Sequence, residues 1–242
     1  MKKLLAASAL LALVGSLSSG VTPASASAAS ICTATNGDLC TFGNWIVYNN
    51  TWGPSPGRYV LHARNQSQWA VVADQNGGGG CGGCAVEVYE SAQWNYSNVP
   101  YSSIKYLSST FRETMPTGSL RKNGVDAEAT YDMFLNGSDT DEVMVWVDNQ
   151  GQTPAGTLYG VANIHGQKFK VYVSAGTKSF LLTKNETHGT VDYYAVLTWL
   201  HNHGMLASSD TLSQFNFGWE ICDTGGKALT FAVYGLTLHQ SF

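Results

Sequence analysis

Short runs of alternating apolar and polar residues recur along most of the chain, with the two-residue period of half-buried β-strands. In the clearest, Glu142-Val-Met-Val-Trp-Val-Asp148, three valines face one way and Glu142, Met144, Trp146 and Asp148 the other. In Ala127–Leu135, Glu128, Thr130, Asp132 and Phe134 share a side. In Leu212–Glu220, Gln214, Asn216 and Glu220 lie opposite Phe215, Phe217 and Trp219. Further strands are predicted at Trp45–Asn50, Arg58–Ala63, Trp69–Asp74, Ala85–Tyr89, Leu158–Ile164, Lys168–Ser174, Ser179–Thr183 and Leu229–Leu238, separated by glycine and polar turns. One segment reads as a helix: Thr190 caps it, Asp192 lies in its first turn, and Tyr193, Val196, Leu197 and Leu200 share a face before Gly204 ends it. Many short strands and one short helix predict an all-β jelly-roll sandwich of two antiparallel sheets.

The polar faces of three strands mix carboxylates with amides or aromatic rings, an odd set for a plain solvent face. Such a face suits sugar, because rings stack on the apolar side of a pyranose while amides and carboxylates bind its hydroxyls. The chain has only seven glutamates, and two of them, Glu142 and Glu220, adjoin Trp146 and Trp219. Glycoside hydrolysis needs two carboxyl groups flanking the scissile bond. On spacing alone, the pair reads as catalytic, as ordinary surface or sugar-contacting groups, or as structural ion pairs.

Composition narrows the class. Charged residues make up 12% of the 242, well below the usual ~25%, and 26 glycines accompany nine Phe, seven Trp and twelve Tyr. This argues against a coiled coil or a disordered chain. A net charge of −4 argues against a nucleic-acid partner, and no Lys/Arg run suggests an anionic membrane surface. Lys2 and Lys3 precede an apolar run, Leu4 to Leu17, too short to span a bilayer. Ala24-Ser25-Ala26 and Ala26-Ser27-Ala28 fit a cleavage site, so residues 1–28 read as a secretory signal peptide and 29–242 as one domain, extracellular and monomeric.

In that compartment cysteines pair by default. Proximity suggests Cys32–Cys40 and Cys81–Cys84, the second a staple within a glycine run, with Cys222 left over. His201 and His203 diverge on a helix, Gly77–Gly80 lacks the partners of a phosphate loop, and no other metal or cofactor motif appears.

Four blocks in order resemble glycoside hydrolase family 12, the small jelly-roll endoglucanases and xyloglucanases. They are Asn49-Asn50-Thr51-Trp52-Gly53, Tyr131-Asp132-Met133-Phe134, Glu142-Val143-Met144-Val145-Trp146 and Phe217-Gly218-Trp219-Glu220, with Gln152-Thr153-Pro154-Ala155-Gly156 matching a further cleft loop. The resemblance implies a concave cleft for a β-glucan chain, with no cofactor. Glu142 would be the nucleophile, Glu220 the general acid/base and Asp132 a neighbour hydrogen-bonded to the nucleophile. Trp52 would be a sugar platform, with Asn50, Trp146, Met144 and Pro154 along the cleft. Negative charge on nearby Glu142 and Asp132, with burial against Trp219 or other rings, is expected to keep Glu220 protonated. Ile221-Cys222 after Glu220 departs from the Pro-aromatic pair usual in the family. The rival reading is a carbohydrate-binding protein of the same fold without turnover.

Overall fold

The computed structural model describes residues 31–53, 57–76, 86–117, 125–138 and 140–242. The segment read as a signal peptide lies outside them, as do Cys81 and Cys84. Two sheets pack into a sandwich. One has six strands, in the order β1 (Cys32–Thr35), β4 (Arg58–Asn65), β5 (Gln68–Asp74), β15 (Leu229–Ser241), β7 (Tyr106–Thr114) and β13 (His188–Asp192). The other has nine: β10 (Thr157–Ile164), β11 (Gln167–Val173), β12 (Thr177–Leu182), β9 (Glu142–Gln150), β8 (Asp126–Leu135), β14 (Thr211–Asp223), β6 (Tyr89–Pro100), β3 (Trp45–Tyr48) and β2 (Leu39–Phe42). β9 and β12 pair parallel, while their neighbours in the sheet, β8–β9 and β11–β12, pair antiparallel.

Alternation sorts the central strands as predicted. Tyr131 and Met133 of β8, Val143, Val145 and Val147 of β9, and Phe215, Phe217 and Trp219 of β14 are fully buried between the sheets. Each such side chain stabilises the fold by about 1.5–3 kcal/mol relative to an exposed one. Tyr131 lies 4.3 Å from Phe217, and Trp69 of the six-stranded sheet meets Trp219 edge-on at 5.0 Å. Trp219 is thus committed to the core, on the opposite face of β14 from Glu220, and cannot wall that carboxyl.

Other differences have local causes. Asp192, not Thr190, caps the helix α1 (Tyr193–Asn202), its side chain accepting from the Ala195 amide at 2.9 Å. Thr190 is instead in β13, paired with β7. The strand expected at Ala85–Tyr89 begins only at Tyr89 and runs on to Pro100. A β-bulge opposite Ala129/Thr130 removes Asp148 from the row of Glu142, Met144 and Trp146. Asp148 is 3% exposed and close enough to Glu113 of β7 to raise that carboxyl's pKa.

Cys32 and Cys40 form a disulfide as expected, joining the end strands of the two sheets. Cys222 is also disulfide-bonded, which corrects the free thiol expected there.

Candidate active site

The outer face of the nine-stranded sheet carries the polar rows. β9 contributes Glu142, Met144 and Trp146, and β8 contributes Phe134, Asp132, Thr130 and Glu128. β14 adds Gln214, Asn216, Gly218 and Glu220. Directly opposite residues on antiparallel strands share a face. Asp132 therefore sits between Met144 on one side and Asn216 on the other, diagonal to Glu142. Glu220 is flanked by Glu128 on β8 and Tyr89 on β6.

Gly218 is a packing requirement. A Cβ there would lie 1.7 Å from the Glu90 carbonyl oxygen and 2.7 Å from Ser91 Cα, so β6 and β14 approach too closely for a side chain. Beside this gap the Tyr89 hydroxyl reaches over to β8 and donates to the Thr130 carbonyl at 3.2 Å.

Each carboxyl has its own partners. Thr130 Oγ1 donates to Asp132 Oδ1 at 2.9 Å, and Asn216 Nδ2 donates to the Asp132 carbonyl at 3.3 Å. Thr177 Oγ1, opposite Glu142 on the parallel strand β12, donates to Glu142 Oε2 at 3.3 Å. Burial raises all four pKa values. Glu220 also repels charge on Glu142, and Glu142 and Glu220 both do so on Asp132, while Thr130 and Tyr89 partly offset the rise on Asp132. Glu128, facing it across the ladder, moderates the rise on Glu220. Four carboxyl groups on one floor, Glu128 and Asp132 buried and Glu142 and Glu220 half-buried, cannot all ionise, so protons are shared among them and titrate as a set.

Hollows lie on both sides of these strands. One, of about 350 Å³, is lined by Trp146, Pro154 and Asn149 together with Lys170, Tyr172 and Asn185. The other, of about 420 Å³, is lined by Asn50, Tyr48, Gln93, Phe134, Ser213 and Gln214. Met144 is buried in the floor, where Ser179 Oγ meets its sulfur at 3.6 Å. Trp52 is 53% exposed, its backbone amide donating to the Glu87 carbonyl at 2.9 Å. Asn49, beside Asn50, is wholly buried and ties Ala34 and Tyr59 carbonyls together at 3.0 and 3.2 Å.

No family model matches the chain. It is 25% identical over 222 residues to the xyloglucan-specific endo-beta-1,4-glucanase A of Emericella nidulans, covering 83% of this chain and 88% of that one. It is 26% identical over 229 residues to the xyloglucan-specific endo-beta-1,4-glucanase 1 of Phytophthora nicotianae, covering 83% and 91%. Among solved structures, endoglucanase 3 of family 12 from Trichoderma harzianum superposes with a TM-score of 0.73 at 23% identity, over 88% of this chain and 99% of that one. The chain shares the fold of solved family 12 glycoside hydrolases. A xyloglucanase domain of a type three effector from Sinorhizobium fredii, solved with cellobiose, superposes with a TM-score of 0.74 at 22% identity, over 87% and 99%.

On this fold the structure gathers Glu142, Asp132 and Glu220 on one floor and sets Asn50, Trp146 and Pro154 in the flanking hollows. Sequence reasoning missed Tyr89 as a neighbour of Glu220 and Thr177 as the donor to Glu142. It placed Glu128 on the right face without seeing that it meets Glu220. Only the strand register shows these pairings.

Proposed function

We propose that the chain is a secreted, retaining endo-β-1,4-glucanase. The observation that carries this is that Glu142 and Glu220 lie half-buried on one sheet face, on the two strands flanking β8, with hollows suited to a glucan chain beside them. Glu142 attacks the anomeric carbon while Glu220 gives its proton to the leaving glycosidic oxygen. Water that loses a proton to Glu220 then hydrolyses the glycosyl-enzyme. Glu142 must ionise while Glu220 keeps its proton; repulsion between the two favours a single charge on the pair, and bound substrate has to draw it to Glu142. Asp132 accepts from Thr130 and stands between them. Trp52, half exposed and two residues beyond Asn50, offers a ring for a glucosyl unit.

Both sequence relatives named above are xyloglucan-specific, which supports a second reading in which the hollows admit a substituted backbone. A reducing-sugar assay on carboxymethylcellulose, barley β-glucan, xyloglucan and xylan separates these readings. Glu142→Ala is expected to lose at least about a thousandfold in kcat on the preferred glucan, while sugar binding and folding persist. Added azide should recover turnover as a β-glycosyl azide. Near wild-type turnover in that variant overturns the nucleophile assignment.

A further inference from the structure

Glu128 has no place in the mechanism above, yet it is the group nearest in register to the acid/base. It lies directly opposite Glu220 across the β8–β14 ladder, where facing Cβ atoms come within about 4.5–5.5 Å. It is 0% exposed, and neither of its carboxyl oxygens meets a hydrogen-bond donor. Neither ion pair among the described residues involves it. The groups around the pair are Asp126 and Asp132 on β8, Glu142 on β9 and Tyr89 on β6, all acidic when they ionise. A bare carboxylate with no donor, no cation and four acidic neighbours would be strongly disfavoured there.

We propose that Glu128 is a positioning residue for Glu220: it keeps its own proton and donates it in a hydrogen bond to the Glu220 carboxyl. The inference rests on reading Glu220 as the acid/base. Two facing acceptors satisfy each other only if one carries a proton, and Glu128 is the more buried of the two. When Glu220 passes its proton to the leaving oxygen, the Glu128 O–H stabilises the carboxylate left behind and holds its orientation for the water step. Burial and the neighbouring charges on Glu220, Asp132 and Asp126 all favour the neutral form of Glu128. The hydrogen bond from Glu128 pulls Glu220 back toward ionisation. Glu128 touches no substrate atom; it acts through Glu220.

Glu128→Gln and Glu128→Leu test this together. Gln keeps a donor of the same shape, so kcat/KM on glucan should stay within about threefold and the basic limb of its pH profile should hold. Leu removes the donor, so Glu220 becomes harder to ionise. The basic limb should then move up by about one pH unit and glucan hydrolysis fall by about ten- to a hundredfold. kcat/KM on an activated aryl cellobioside, whose leaving group needs no proton, should be nearly unchanged in both variants. A basic limb that moves down in both would mean that Glu128 carries charge, and equal losses in both on both substrates would mean a structural role; each overturns the proposal.

Should the Leu variant fail to fold, a difference infrared spectrum of wild type against Glu128→Gln decides at neutral pH. Loss of a protonated-carboxyl carbonyl band supports the proposal, and loss of a carboxylate band overturns it. Glu220→Gln is the control on the underlying reading. It should abolish glucan hydrolysis but spare kcat/KM on the aryl cellobioside; retained glucan activity would refute the acid/base role whatever Glu128 does.

Discussion

At the scale of single residues, Asp132 is governed by opposing influences of known sign. Its burial and the charges of Glu142 and Glu220 hold the proton on, whereas the Thr130 and Tyr89 hydroxyls favour its release. Held neutral, Asp132 puts no charge beside Glu142 while the nucleophile ionises. Asp132→Asn keeps both the shape and the neutrality and exchanges a carboxyl for an amide. The acidic limb of the kcat/KM profile is expected to hold, with kcat falling about tenfold as the hydrogen-bond pattern on the floor changes. Full activity in that variant would leave Asp132 a purely structural group. Its place on the floor was legible from the sequence, because alternation along Ala127–Leu135 needs only a period of two. The proximity of Glu128 to Glu220 was not, since it depends on pairing between segments more than 90 residues apart.

At the scale of elements, β14 is the strand on which the site turns. One face supplies Phe215, Phe217 and Trp219 to the core while the other holds Asn216 and Glu220. Gly218 keeps both faces in place by letting β6 come close. Gly218→Ala would force the strands apart and is expected to cost about 3 kcal/mol, a Tm lower by about 6–12 °C in a domain this size. Differential scanning calorimetry checks this, and an unchanged Tm would show the contact to be slack. Sequence reasoning overlooked β1, β2, β7, β13 and the later half of β6, and two of these show why. β7 turns Ser109 and Glu113 inward beside Leu107 and Phe111, so its core face does not look apolar. The later half of β6 is largely exposed, and the polar Gln93, Asn95 and Asn98 read as a loop. The bulge that diverts Asp148 is equally silent in the sequence, because it exists only relative to the partner strand.

At the scale of the whole molecule, the distribution of carboxyls sets how stability varies with pH. Burial and repulsion from Asp148 push Glu113 from 4.5 up to about 8, and burial holds Glu90 well above its ordinary value. The folded chain therefore binds more protons than the unfolded chain across this window. Stability should be greatest below about pH 4.5 and fall as pH rises toward 8, by up to about 1.4 kcal/mol per unit for each such group. Thermal unfolding followed at several pH values should show Tm descending over that range, and Glu113→Gln should flatten the descent. A Tm that climbs toward pH 8 would contradict it. The parallel pairing of β9 with β12 has a different consequence. It leaves β10 and β11 as a hairpin appended beyond β12, closing at His165 and Gly166, with β10 paired to β11 alone. Lys170 and Tyr172 of this hairpin wall one hollow, yet none of its hydrogen bonds fixes the register of β9, β8 and β14. Selection can thus rewrite that wall, in length or in side chains, without moving a carboxyl, so the choice of glucan is free to diverge between lineages while the chemistry stays inherited.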